Sequence, residues 1–371
     1  MRHIYVHVPF CQRRCSYCDF SIAIRARVPA RQYLEAIRRE LAHTIAPGTD
    51  PLDTIYFGGG TPSLLPAAGI AAVLEAIASH TSVAATAEIT LEANPEDVTA
   101  EAAATWRAAG INRVSLGVQS FDDRVLRWMH RVHDGARAGT AVRRLRGAGF
   151  DTISLDLIFA LPVALQRDWG RDLASALALE PEHLSLYGLT VEPRTPLHRW
   201  IARGATSAPS DERYAEEYLV AHDRLAAAGY AFYEVSNAAR GGRHSRHNSA
   251  YWTGHAYAGL GPAAHSFDGR SRRWNIPAWE AYRRAIEASG RATESEEILT
   301  DKQRALERVY LGLRTDAGLA LEDSGSSGAA RAPLVAQGWI VERSGRVKCT
   351  VEGWLRLDAL VAALTEPTTT S

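Results

Sequence analysis

Three cysteines, Cys11, Cys15 and Cys18, fall within eight residues near the start of the chain, in the run CQRRCSYCDF. The spacing C-x3-C-x2-C lets one loop wrap an iron–sulfur cubane and supply three thiolates, with Arg13 and Arg14 between them favouring the thiolate form. The alternative is a zinc site of three cysteines and a histidine, with His7 as the fourth ligand. Zinc loops more often pair two C-x2-C units, and those are missing here. A cubane held by three thiols keeps one iron open, and an open metal position is where chemistry happens.

A loop of that kind needs a scaffold. Short β-like runs at 4–9, 54–59, 88–93, 113–118, 152–159 and 183–189 alternate with amphipathic helical stretches. Six β-then-α units with short connections predict a parallel sheet, curled into a partial (β/α)6 TIM-like barrel; the periodicity also fits an open doubly wound sheet. Gly110 and Gly149 close two of the helices as left-handed caps. In parallel β/α architectures functional groups gather past the carboxyl ends of the strands. The cysteines follow strand one, the run GGGTP (58–62) follows strand two, and Glu92 and Asn94 end strand three. Gln119 ends strand four, and Asp156 lies on strand five. Each alone is an ordinary polar residue; the signal is their convergence on one mouth.

The barrel is expected over 1–195. A helical and His/aromatic-rich elaboration follows over 196–298, with a loop near 194–211 and a long helix from 211 to 229. Residues 299–362 read as a winged-helix-like α+β module without the basic stripe that DNA binding needs. Within it SGSSGAARAP (324–333) reads as a flexible segment, and Cys349 as an inert core thiol. Residues 363–371 read as a disordered tail. Formal charge is zero and Lys302 and Lys348 are the only lysines, so nothing argues for nucleic acid. No run of 18 apolar residues exists and no signal peptide opens the chain, which leads us to expect a cytoplasmic protein.

The cysteine loop and the blocks YVHVPFC, FGGGTPS, LEANP, SLGVQSF and DLIFALP resemble the radical S-adenosylmethionine (SAM) superfamily. Within it they are most similar to the group of oxygen-independent coproporphyrinogen III oxidase and the HemW-type haem chaperones. The resemblance implies a 4Fe-4S cluster on Cys11, Cys15 and Cys18. It places SAM on the open iron, where one electron cleaves the sulfonium to methionine and a 5′-deoxyadenosyl radical. Carried over by motif, Tyr5, Tyr17, Gly59, Gly60, Thr61, Glu92, Gln119, Arg131, Asp156 and Thr190 would bind SAM. Arg131 suits its carboxylate, and Glu92 and Asp156 suit hydroxyl or ammonium donors.

Two features separate the branches. The oxidase pattern places a fourth cysteine where this chain has Phe20, and it carries a long segment before the cysteines where this chain has ten residues. The run RHSRHNSAYWTGHAYAGLGPAAHSF then holds His244, His247, His255 and His265. Its HNSAYW matches the HNxxYW motif of the chaperone branch, which makes His247 the candidate axial ligand for haem. Tyr251 and Trp252 as core residues, with His247 as a helix cap, is the competing reading. The resemblance thus implies haem as cargo and haem-accepting proteins as partners, membrane-associated respiratory enzymes among them. It also implies an electron donor for the cluster if the radical is generated. Coproporphyrinogen oxidation is the alternative function, and we do not expect that activity.

Overall fold

The computed structural model describes residues 1–46 and 50–365. Six parallel strands form the centre: β1 (His3–Val8), β2 (Leu52–Gly59), β3 (Val83–Ala93), β4 (Arg113–Gln119), β5 (Ile153–Phe159) and β6 (His183–Gly188). Helices α1 (Ala30–Thr44), α2 (Ala67–His80), α3 (Ala100–Ala108), α4 (Gly135–Gly147) and α5 (Trp169–Leu177) lie between them. The sequence alternation therefore marks all six strands, and the sheet is the partial barrel it predicts.

Alternation within each strand explains the curl. Ile4, Val6, Val8, Ile55, Phe57, Leu91, Val114, Leu116, Leu155 and Leu157 join the apolar layer under the helices, with Ile37, Ile70, Trp106, Leu145 and Leu173. Full burial of each such side chain contributes about 1.5–3 kcal/mol. The opposite face is polar. Register sets Tyr5 beside Tyr56, Glu92 beside Ser115, and Asp156 beside Ser185. A polar face of this kind is stable only where its groups can pair across an enclosed interior. Helices start where side chains cap them: Thr99, Asp134 and Asp168 each accept a backbone N–H of the first turn. Gly110 (φ 102°) and Gly149 (φ 87°) leave α3 and α4 in the left-handed region.

The chain then returns to the barrel. Past β6 a short helix spans Pro196–Ala202, inside the stretch expected to be a loop, and α6 covers Asp211–Ala227. β7 (Ala231–Glu234) and β8 (Asn237–Ala239) extend the sheet antiparallel beyond β6. Next come α7 (Arg246–Trp252), which carries HNSAYW, and β9 (Ala258–Leu260), which pairs parallel with β1 at the other edge. The sheet order is β9-β1-β2-β3-β4-β5-β6-β8-β7. The His/aromatic-rich stretch thus supplies both edges of the barrel sheet. A three-stranded antiparallel sheet follows, of β10 (His265–Phe267), β11 (Ser271–Asn275) and β12 (Thr293–Ile298), with α8 (Trp279–Ser289) between β11 and β12.

In the C-terminal module α9 (Asp301–Arg314), β13 (Leu319–Ala320), α10 (Gly328–Ala336) and the hairpin β14 (Ile340–Arg343)–β15 (Arg346–Cys349) precede α11 (Leu357–Thr365). They share an apolar cluster of Val309, Leu313, Leu319, Leu334, Ile340 and Val347 with α11. Much of SGSSGAARAP is ordered as α10, because the Ser327 side chain caps it by accepting from Ala330 N. Burial pushes the Cys349 thiol up to about 12. Helix α11 runs to Thr365, so residues 363–365 are helical; the rest of the expected tail lies outside the described residues.

Candidate functional site

A cavity of about 690 Å³ opens past the carboxyl ends of β2 to β6. Cys11, Cys15 and Cys18 line it, together with Tyr17, Gly59, Gly60, Thr61, Glu92, Gln119, Arg131, Asp156 and Thr190. These residues come from seven separate segments, and the barrel brings them together at one mouth. Tyr5 does not line the cavity. Its ring lies beneath, stacked on Tyr56 at 6.1 Å, with its hydroxyl 3.2 Å from His7 Nδ1.

The cysteine loop is fixed by its backbone. Ser16 N donates to Met129 O, and Arg25 N to Cys11 O. Cys11 Sγ lies 3.3 Å from Thr61 Oγ1. Burial raises the Cys11 thiol and lifts Cys18 to about 11, against a weaker downward pull from Arg14. Arg13 and Arg14 do not reach a sulfur; they donate to the carbonyls of Arg131 and Cys18. The guanidinium on the thiols is that of Arg131, with Nη1 3.7 Å from Cys15 Sγ. His7 is not a fourth ligand: Tyr5 engages Nδ1, and Nε2 faces Ser21 O at 3.3 Å.

Glycine gives the loop after β2 its close approach. A Cβ on Gly60 would sit 2.7 Å from Pro9 O and 3.0 Å from Cys11 Sγ, and one on Gly59 (φ 114°) would meet the His7 ring at 2.8 Å. Arg131 is held by Asn94 Oδ1 at 2.6 Å and Gly117 O at 2.7 Å, while its buried Nε has no partner among the described residues. Burial works against its charge, but Tyr17, Cys15 and Glu96 together outweigh it and raise its pKa. Glu92 accepts from Tyr56 and from Gly59 N, yet burial, helped by nearby Asp156, pushes its carboxyl up to about 7. Burial also raises Asp156, which Ser115 bonds through both oxygens. Gln119 is a non-glycine at φ 67°, a strained backbone at the end of β4. Phe20, 61% exposed, stands at the rim.

His247 is elsewhere. It lies at the other end of the barrel, 1% exposed, beneath Tyr5 and Tyr56. Its Nδ1 meets Thr54 Oγ1 and its Nε2 meets the Tyr251 hydroxyl, both at 2.7 Å. With no free nitrogen and no exposed edge, this imidazole is a floor for the barrel rather than an open axial ligand. Its backbone N–H donates to Glu88, and the capping side chain of α7 is Ser245. Trp252 lies under Arg314 of α9 at 4.2 Å, and Arg314 pairs with the buried Glu234 at 2.8 Å. His244 stacks on Tyr233 and His265 on Trp274. His255 lies beside His3, with ring centroids 5.7 Å apart.

Tyr56, Ser115 and Tyr187 are functional neighbours that motif matching passes over. Each lies on the polar face of its strand, two residues from a neighbour of the same kind, so period-2 alternation of polar residues carried the signal.

A family model described as the radical SAM superfamily matches residues 5–173. The heme chaperone HemW of Mycobacterium tuberculosis (strain H37Rv) is 39% identical over 97% of this chain and 94% of its own length. That of Bacillus subtilis is 36% identical over 86% and 85%. The mitochondrial radical S-adenosyl methionine domain-containing protein 1 of Bos taurus is 34% identical over 97% and 86%. Among solved structures, coproporphyrinogen III oxidase (HemN) from Escherichia coli superposes with a TM-score of 0.84 at 23% identity, over 98% of this chain and 90% of that one. A likeness at that identity speaks for the fold. Among the described residues, no helix is long and apolar enough to cross a membrane.

Proposed function

The chain belongs to the radical SAM superfamily, in the group of the heme chaperone HemW, and from that membership we propose that it binds haem and passes it to acceptor proteins. The observation that carries the reading is a likeness to heme chaperones that runs nearly the whole length of the chain. Phe20 at the rim, where the oxidase pattern has a further cysteine, supports the same side.

The residues at the upper mouth fit a cluster and SAM. Three thiols share one cavity, Gly60 leaves room that a Cβ would close, and a buried Arg131 Nε is left without a partner. In this reading Cys11, Cys15 and Cys18 would hold a 4Fe-4S cluster, with SAM beside it in the same cavity. When bound, such a cluster would supply the one-electron reduction that cleaves a sulfonium. The protein's own part is to position and to exclude water. Arg131 faces the carboxylate of SAM, and the backbone at Gly59, Gly60 and Thr61 allows close approach. Glu92 and Asp156 accept from its ammonium or hydroxyl groups, with Tyr17, Gln119 and Thr190 at the wall. Tyr5 acts from beneath, by backing Tyr56.

The test is an anaerobic hemin titration of the cluster-loaded protein, beside an assay with coproporphyrinogen III. Saturation near one haem per chain with no multiple-turnover product is expected. Absence of saturable binding, or protoporphyrinogen at many turnovers per chain, would overturn the reading.

A further inference from the structure

Asp156 stands at the wall of the upper cavity, and three serine hydroxyls converge on its carboxylate. Ser115 lies within 3.0 Å of both oxygens and Ser154 within 3.4 Å of Oδ1, while Ser185 donates from β6. Ser154 also leads away from it. Its Oγ is 2.7 Å from His183 Nδ1, and His183 Nε2 is 2.8 Å from the Tyr233 hydroxyl. The Tyr233 oxygen accepts from the backbone N–H of Ser245 at 3.2 Å. Ser245 is the residue that caps α7. Ser154, His183, Tyr233 and Ser245 are all buried, so one chain of hydrogen bonds runs inside the protein from the start of the HNSAYW helix to Asp156.

The ends of the chain fix its polarity. A backbone N–H can only donate, so the Tyr233 oxygen receives a hydrogen from Ser245. The hydroxyl's own hydrogen has one acceptor among the described residues, His183 Nε2. Burial holds the His183 imidazole well below its ordinary pKa, so the ring carries a single proton. That proton then sits on Nδ1 and points to Ser154, whose own hydrogen is left for Asp156. A carboxylate accepts, so every donor in the chain faces the same way, and hydrogen bonds aligned like this strengthen one another.

We propose that His183 is a positioning residue for SAM: with its proton on Nδ1 it orients the Ser154 hydroxyl, and Ser154 holds the Asp156 carboxylate ready for the hydroxyl or ammonium group it receives. The proposal rests on the SAM reading above. Glu92, the other carboxylate assigned to SAM, is reached from the same helix. Its partner Tyr56 stacks on His247 of α7. Ser245 and His247, two residues apart, thus support one carboxylate each, Ser245 by hydrogen bonds and His247 by packing. The HNSAYW helix touches no part of the upper cavity, yet it sets the geometry of both acids there.

The experiment pairs two measurements on the full chain, for the wild type, Tyr233→Phe and Tyr218→Phe. The first change keeps the ring that stacks on His244 and removes only the hydroxyl. Tyr218 carries another buried hydroxyl, bonded to Val235 O at 2.8 Å and outside the chain, so its loss controls for destabilisation alone. Nitrogen NMR of isotope-labelled histidines reads the tautomer, with the His183 signal identified by its loss in His183→Gln. Anaerobic SAM titration of the cluster-loaded chain reads affinity. We expect wild-type His183 to be protonated on Nδ1. Tyr233→Phe loses that preference and binds SAM about three- to tenfold more weakly, while Tyr218→Phe keeps both. Ser154→Ala cuts the same chain above His183 and carries the same expectation for SAM, which keeps the test open should Tyr233→Phe fail to fold. A wild-type His183 protonated on Nε2, or wild-type SAM affinity in the cut chains, would overturn the positioning role and leave the SAM reading standing. A wild type that binds no SAM would remove the SAM reading itself, and the positioning role with it.

Discussion

The rings of His247 and Tyr56 are stacked, with centroids 5.0 Å apart and planes 25° from parallel. The Tyr56 hydroxyl donates to Glu92 Oε1 at 2.8 Å. One column of side chains thus runs through the barrel interior, from the HNSAYW helix at the floor to a carboxylate of the upper cavity. The motif histidine is tied to the upper cavity by packing, without reaching it.

His247→Ala separates a floor from a ligand. The change deletes a buried ring, two hydrogen bonds and the stacking partner of Tyr56. A loss of about 2–4 kcal/mol is expected, which lowers the midpoint of thermal unfolding by roughly 5–15 °C in a chain of this size. SAM binding weakens as well, because Tyr56 loses its backing under Glu92, while hemin affinity is unchanged, because both ring nitrogens of His247 are already bonded. Unfolding curves, with SAM and hemin titrations on the same variant, make the comparison. A variant as stable as the wild type would show that the ring does not support the barrel.

Glu40 on α1 gives a pH signature. It is 3% exposed and accepts from Gly261 N at 2.7 Å, from Tyr282 and from Asn275, yet burial lifts its carboxyl to about 7. The folded chain therefore keeps a proton that the unfolded chain has released above about pH 4.5. The stability this group contributes is full below pH 4.5 and is lost as pH rises through 7. Other buried groups titrate in the same window, so the informative quantity is the difference between wild type and Glu40→Gln. That difference should move against the wild type by on the order of 3 kcal/mol between pH 4.5 and 8, in denaturant curves. A constant difference would mean that Glu40 stays ionised throughout.

The barrel was legible because its two strand faces differ in chemistry. Val114, Leu116 and Val118 alternate with Arg113, Ser115 and Gly117 on one short strand, and five other strands repeat the pattern. The upper site was legible because cysteine spacing and the glycine run are local in sequence. HNSAYW was harder. A buried histidine bonded to threonine and tyrosine is written with the same letters as an exposed ligand, and its partner Thr54 lies 193 residues away. Nor does a short strand such as Ala258–Leu260 show which edge it will join; its pairing with β1 is a long-range contact, and Gly259 serves a close approach to the strand that follows it. A Cβ there would come 2.1 Å from the His265 carbonyl oxygen.

Gly60→Ala tests the cradle under the cysteine loop. The backbone at Gly60 lies outside the left-handed region, since no positive φ is found there, so alanine brings no torsional strain and its whole effect is steric. The new methyl group would meet Pro9 O at 2.7 Å and Cys11 Sγ at 3.0 Å. Gly60 N already donates to Val8 O at 2.8 Å, which holds the loop against β1 and leaves it little room to retreat. The Pro9 carbonyl must shift, and the Cys11 sulfur give way beside it, at an overpacking cost of about 1–3 kcal/mol. The folded variant should reconstitute with less than about half of the four irons that a cubane holds, with weaker absorbance near 400 nm and weaker SAM binding. Gly147→Ala on α4 is the control, because a Cβ there meets nothing within 4 Å. Iron and sulfide analysis per chain decides the matter: a Gly60→Ala protein with full iron and unchanged SAM affinity would show that the close approach of Gly60 to Cys11 does not govern the cluster loop.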